Sequence, residues 1–320
     1  MIVVDVWYFV LVGALILDLW LGEPKRFHPL VGFGFFAQLV ERKWNLFSNN
    51  SVLKTRAVGI AALFVVVGFP LVALLLLKVT LPFSIHWCVD LLILYLAVGR
   101  KSLVEHALAI FKPLQQNNMA EARKRVGYIV SRDTAAMDER QVTKATIESI
   151  LENGSDSIFA ALFWFLVAGA LGVLAYRLIN TLDAMWGYRT ERYRYFGWAA
   201  ARIDDVLNWI PARLTAISYA ILAIKIGKGS FLQAIKCWRE QAQLCESPNG
   251  GVVMTTGAGA LGVCLGGAAV YHGVVKEKPI MGLGYDPEIN DIHAAVKLVN
   301  YSVLLWLGVT GLIVMLGLII

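Results

Sequence analysis

The sequence predicts an all-α fold. It reads as a polytopic integral membrane bundle of about five to seven apolar helices, with re-entrant segments and short cytoplasmic helices. Three observations predict it. Hydrophobic residues make up 58% of the 320 residues and charged residues only 16%, against about 45–50% and about 25% in soluble domains. The mean hydropathy is +0.63. Apolar runs of membrane length recur along the chain. A soluble fold of this size could not hide so much apolar surface. Disorder, a coiled coil and an ordinary cytosolic enzyme are excluded. The net charge of +6 is spread between apolar runs, as in the loops of a membrane protein, and does not point to nucleic acid.

The predicted spans are Val3–Leu21, Val58–Leu77, Leu81–Gly99, Ile158–Ile179, Val206–Ile226 and Val299–Ile320. The first run lacks a small-residue cleavage site and is expected to stay as a membrane helix. A further stretch, Val252–Tyr271, is rich in Gly and Ala and is expected to span or to re-enter. The links Gly22–Ala57 and Arg100–Ser157 carry six and nine Lys/Arg, and the link at Lys78 carries one. The positive-inside rule puts the first two in the cytoplasm and the N-terminus outside. Alternation then fails unless a segment re-enters, and Ile158–Ile179, broken at Ala168-Gly169-Ala170-Leu171-Gly172, is the candidate. Residues 1–320 read as one membrane domain, with 100–157 as its largest cytoplasmic loop. Helices are expected there at Met119–Tyr128 and Asp138–Leu151, the second starting at Thr134–Met137.

Cys88, Cys237, Cys245 and Cys264 form no C-x-x-C and no disulfide framework. Cys88 and Cys264 read as inert packing residues.

Polar residues inside apolar runs carry the functional signal, because a charge in a bilayer needs a partner or a task. Asp18, Glu23 and His28 flank a break at Gly22 and Pro24, with His28-Pro29 opening a new segment; they form either a polar pocket or a solvated turn. Glu148, Glu152 and Asp156 are spaced by four and share a helix face. A solvated acidic face is favoured there over a Mg²⁺ site, and Asn153-Gly154 would end the helix. Residues 176–213 are densest in polar groups, including Arg177, Asn180, Asp183, Arg189, Arg202, Asp204, Asp205, Asn208 and Arg213. Arg202–Asp205 and Asp205–Asn208 are i,i+3 pairs, and Pro211 requires a kink or a helix start. Mixed Arg and Asp suit a phosphate and metal site better than structural ion pairs alone. Gly257–Gly262 matches G-x-G-x-x-G, and Gly262 and Gly266 form G-x-x-x-G; close packing is the reading for both. His272 reads as a structural donor. No P-loop or H-E-x-x-H is present.

Several blocks, taken in order, resemble the membrane-bound cobinamide-phosphate synthases of cobalamin biosynthesis. They are Asp18-x-x-x-Gly22-Glu-Pro with His28-Pro29; Glu148-Ser-x-x-Glu152-Asn-x-x-Asp156; Tyr176-Arg-x-x-Asn180-Thr-Leu-Asp183; Ala201-Arg202-x-Asp204-Asp205-x-x-Asn208-x-x-Pro211-Ala-Arg213; Ser247-Pro-Asn-Gly-Gly251; and Gly262-Val-x-Leu-Gly-Gly267 with Tyr271-x-Gly273. The resemblance runs from Leu17 to Gly284. Ala184 and Ile158 depart from it.

The resemblance implies an ATP-dependent amide ligase, an adenosylcobinamide-phosphate synthase. It would join aminopropanol, or its phosphate, to a propionate of adenosylcobyric acid. Implied with it are Mg²⁺, ATP as co-substrate, the corrinoid, a bilayer at the bacterial inner membrane, a cytoplasm-facing site, and assembly as a homo-oligomer or with other membrane enzymes of the pathway. Glu152, Asp156, Asp183, Asp204 and Asp205 are the expected metal ligands. Arg202, Arg213, Asn153, Asn180, Asn249, Gly250 and Gly251 are expected on phosphate or substrate. Glu23, His28, Asp183 and Asp205 are expected in catalysis. The rival reading is a transporter for a corrinoid or another anionic small molecule.

Overall fold

A computed structural model describes residues 2–24, 28–45, 51–226, 228–271 and 273–317. Among the described residues the fold is all-α apart from one β-hairpin, and four helices are long and apolar enough to cross a membrane. The chain divides into two compact units. One is chiefly Met1–Gly99 with Ala160–Asn208; the other is Arg100–Phe159 with Trp209–Leu316.

The first unit begins with α1 (Ile2–Leu21). Gly22, in the left-handed region at φ 68°, ends it as expected. Helix α2 (Pro29–Trp44) follows, with Pro29 at its first turn and His28 as its cap. Then come α3 (Val52–Thr80) and α4 (His86–Ala97). Helix α4 has 12 residues, behind Pro82 and a 3₁₀ turn at Phe83–Ile85. Twelve residues rise about 18 Å, so Leu81–Gly99 is not the full span expected. Helix α8 (Ala160–Trp186) is broken at Ala168 (φ −142°) and Gly169 (φ 60°, ψ −151°). The break lies where the Gly/Ala run places it, in a conformation essentially restricted to glycine. The core joins Phe33 and Ala37 of α2, Ala62, Leu63 and Val66 of α3, and Leu178, Leu182 and Trp186 of α8. Phe64, Phe69, Val72, Leu76 and Val79 of α3 stay exposed, as a lipid-facing stripe requires.

Helix α9 (Trp198–Ile226) runs through Pro211, so no helix starts there. Proline has no N–H to offer the carbonyl four residues back. The Trp164 indole supplies that donor, bonding the Leu207 carbonyl at 3.0 Å. Trp164→Phe is expected to cost about 1–3 kcal/mol. The cost should shrink when Pro211→Ala restores a backbone donor. Thermal unfolding of the single and double variants checks the coupling.

The second unit holds α5 (Arg100–Gln115), α6 (Met119–Val126) and α7 (Glu139–Gly154). Asp138, the expected first residue of this helix, caps α7 in a capping box with Gln141, and the helix proper begins at Glu139. Helix α7 does not stop at Asn153-Gly154. It passes through a π-helical turn, Ser155–Phe159, into α8. The unit continues with α10 (Phe231–Gln241), α11 (Gly250–Leu261), β1 (Leu265–Tyr271), β2 (Val274–Met281) and α12 (Ile289–Met315).

Val252–Tyr271 therefore makes no spanning helix. Its helical part ends at Gly262 (φ 68°), and the rest is a strand antiparallel to β2 with a bulge between Leu265 and Gly267. Gly262 and Gly266 are not on one helix, so G-x-x-x-G has no helical meaning here. Gly257 and Gly259 serve packing: a Cβ there would strike Leu151, or Ala234 and Cys237. All four cysteines are free; Cys237 is the buried one and Cys88 is exposed, not packed. His272 lies outside the described residues.

Candidate functional site

The first unit gathers three of the sequence blocks. Asp18 is fully buried before the Gly22 turn, whose carbonyl accepts a 2.7 Å bond from the Tyr95 hydroxyl. His28 accepts the Leu30 N–H through Nδ1 at 3.2 Å. A neutral imidazole with Nδ1 as acceptor carries its proton on Nε2. Burial holds the His28 pKa below its usual value; Glu23 opposes that shift and Arg177 adds to it. Glu23, His28 and Arg177 are thus electrostatic neighbours. Glu23 itself is exposed.

Arg177 leads into a chain of hydrogen bonds between α8 and α9. Its guanidinium donates to Asn180 Oδ1 at 3.4 Å, and Asn180 donates to Asp204 Oδ1 at 3.2 Å. Asn208 donates to Asp204 Oδ2 at 3.0 Å and accepts from the Tyr176 hydroxyl at 2.9 Å. Asn208 therefore pairs with Asp204 at i,i+4, where the spacing had suggested Asp205. Asp204 is buried with an amide on each oxygen, while Arg202 reaches Asp205 at 3.7 Å from an exposed position. Asp183 lies within electrostatic range of both Asp204 and Asp205, and its carboxylate leans over Gly187, where a Cβ would collide with it. Arg189 also acts on Asp205.

The second unit holds the other blocks. Glu148 is no solvated acidic residue: its side chain is 3% exposed. It binds Arg132 at 2.6 Å, Lys278 at 2.8 Å and the Gly266 N–H at 2.9 Å. These contacts tie α7 to the 129–134 loop and to both hairpin strands. Asp156 falls in the π turn, which breaks the face that spacing by four assumes. Glu152 sits against the first turn of α11, where a Cβ on Gly250 would strike its carboxylate. It also feels Lys278, Glu148 and Arg132. A carboxylate suits a helix N-terminus, so a phosphate arriving there meets a like charge.

The amides expected to cradle phosphate are already engaged. Gly250 N–H bonds Ser247 Oγ at 2.9 Å, and Gly251 N–H bonds the Ser247 carbonyl at 3.0 Å. Asn153 turns its amide back onto the Ser149 carbonyl and hydroxyl, both at 2.9 Å. Arg213 does meet Asn249, at 3.2 Å, while also donating to the Trp209 carbonyl and stacking 4.1 Å from that ring's centre.

Among the described residues, no three His, Cys, Asp or Glu side chains converge tightly enough to enclose a metal. Mg²⁺ commonly takes only one or two carboxylates plus substrate phosphates. Asp183 and Asp205 lie within electrostatic range of each other. Sequence reasoning left Arg132 and Lys278 without a role, since they lie 16 and 130 residues from Glu148. It also gave Arg177 none, although Arg177 stands inside a quoted motif.

No solved structure matches the chain. A protein of Stutzerimonas stutzeri named "Cobalamin biosynthesis protein CobD" is 52% identical over 296 residues, covering 92% of this chain and 94% of its own. The Chromobacterium violaceum protein of that name is 51% identical over 301 residues, covering 92% of each. One from Halalkalibacterium halodurans is 38% identical over 300 residues, again 92% of each. Residues 11–299 match the family described as CobD/Cbib protein. Agreement over that length, with the ordered polar blocks inside it, means that the chain belongs to the CobD/Cbib family.

Proposed function

We propose that the protein acts in cobalamin biosynthesis as an ATP-dependent ligase. It joins the amine of aminopropanol, or of its phosphate, to a propionate carboxylate of adenosylcobyric acid. The observation that carries this reading is the grouping, in the first unit, of the His28 imidazole with Arg177, Arg189 and Arg202 and with the carboxylates of Glu23, Asp183, Asp204 and Asp205, from blocks far apart in sequence.

An amine cannot expel oxide from a carboxylate, so the acid must first be activated. The carboxylate oxygen attacks the terminal phosphorus of ATP, the bond to the bridging oxygen breaks, and ADP leaves with that electron pair. The amine nitrogen then attacks the acyl carbon. Phosphate departs with the acyl oxygen, and the nitrogen's surplus proton passes to a base. Carboxylate, ammonium and ATP thus become amide, ADP, phosphate and one proton.

His28, with Glu23 as its electrostatic neighbour, would take that proton. Asp183 and Asp205 would hold Mg²⁺, which when bound neutralises charge on the transferring phosphoryl group. Asn180 keeps Asp204 and Arg177 in register. Glu152, Asp156, Arg213 and Asn249 belong to the second unit, where stacking on Trp209 fixes the Arg213 fork for an anionic substrate group. The cytoplasmic face is proposed for both sets, since ATP is there.

The test is turnover. The protein in nanodiscs receives adenosylcobyric acid, aminopropanol phosphate, ATP and Mg²⁺, and mass spectrometry looks for the amide. ATP-dependent product supports the ligase; its absence with folded, lipid-supplied protein sinks it. Because the His28 pKa is lowered, the free base persists below pH 6.5. The acid limb of kcat/KM should therefore lie below that pH and disappear in His28→Gln, as a pH–rate series would record.

A transporter remains the second reading, on one observation. The broken stretch Ala168–Leu171 lines a cavity of about 390 Å³ beside Trp7, Trp87 and the Lys78–Asp90 pair, and discontinuous helices recur in transporters. ATP-independent corrinoid uptake into proteoliposomes would favour it.

A further inference from the structure

We propose that Arg177 is a phosphate-binding residue, the anion-gripping element of the polar site in the first unit. Arg177 lies in α8, a helix of membrane-spanning character, and is half-buried. Its Nε is buried and has no hydrogen-bond partner. Among the described residues no carboxylate forms an ion pair with it; its terminal nitrogen makes only the 3.4 Å contact to the neutral amide of Asn180. The nearest hydrogen-bonded carboxylate, Asp204, is one amide away and already holds two donors.

A guanidinium taken out of water without a counter-charge is costly. The surroundings are those of a site rather than of a packed core. His28 is an electrostatic neighbour, and its Nδ1 is used by the Leu30 amide, which leaves Nε2 as a second donor. Asn180 fixes one end of the fork, so Nε and the other terminal nitrogen define the edge that takes two oxygens side by side. A phosphate group matches that edge and would give the Arg177 guanidinium the direct ion-pair partner that no described carboxylate gives it.

Two phosphates fit this chemistry: the chain of a nucleoside triphosphate and the ester of an amino-alcohol phosphate. That choice of ligands rests on the ligase reading; the site itself does not. The experiment reads binding directly, without turnover. Purified full-length protein, as wild type, Arg177→Met and Arg177→Lys, is titrated in detergent with ATP and Mg²⁺ in one arm and with 1-aminopropan-2-yl phosphate in the other. Melting temperature is followed without ligand.

Arg177→Met should weaken one arm by at least about tenfold, and that arm identifies the source. Arg177→Lys should fall between, since an ammonium keeps the charge but not the fork. The ligand-free Arg177→Met protein should melt at or above the wild-type temperature, because an uncompensated charge has been removed. Wild-type affinity for both ligands in Arg177→Met, or no binding of either by the wild type, would overturn the proposal. So would a collapse or a lowered melting temperature in Arg177→Met, which would make the guanidinium structural. A protein that binds phosphate through Arg177 yet forms no amide would end the ligase reading and keep this site.

Discussion

Asp183→Asn is expected to abolish amide formation while leaving the protein folded and no less stable. The expected fall in turnover is about 10²–10⁴-fold, the range for a positioned acid–base or charge-bearing group. Asp183 sits near two like charges, Asp204 and Asp205, and repulsion among them weakens the fold. Neutralising one member should leave the melting temperature unchanged or raise it. Such crowding of carboxylates is kept where a cation or a reacting group offsets it. Activity and melting temperature are measured on the same nanodisc preparation. A variant that turns over normally and melts several degrees lower would make Asp183 a structural residue.

Glu148→Gln is expected to have the largest effect on stability, about 3–5 kcal/mol. Its carboxylate is the shared acceptor of Arg132, Lys278 and the Gly266 amide. The neutral amide leaves two cations in a buried place without their counter-charge and offers one acceptor oxygen where there were two. Charge reversal at a single partner should not repair it; removing both cations together, in Arg132→Met with Lys278→Met, should recover part of the loss. Chemical unfolding in detergent measures the difference. A change below about 1 kcal/mol would mean that water reaches this cluster.

Local rules made part of this fold legible. Gly22 and Pro24 end one helix and His28-Pro29 begins the next, because each acts through its own backbone geometry. The Gly/Ala run in α8 announced its break at Ala168–Gly169 for the same reason. Failures came where the deciding contact is distant. Leu265–Tyr271 is a short apolar run, and periodicity cannot tell such a strand from a buried helix; pairing with β2 decides it. Glu148, Glu152 and Asp156 looked like one face only while an unbroken α-helix was assumed, and the π turn removes that assumption. In the site, spacing correctly placed Arg202 beside Asp205 and missed that Asn208 turns to Asp204. Ser247 consumed the two glycine amides through a turn that composition alone does not draw.

The separation between Glu148 and Lys278 has a consequence for how the chain is made. Lys278 leaves the ribosome 130 residues after Glu148. At roughly 5–20 residues per second, that is a wait of about 6 to 26 seconds. For most of it Glu148 has Arg132, 16 residues upstream, but neither of the hairpin's donors, Gly266 following after 118 residues. This carboxylate must therefore stay in contact with water while the following helices enter the membrane. The hairpin closes over it before α12 (Ile289–Met315) emerges, so Glu148 gains its last partner only near the end of synthesis.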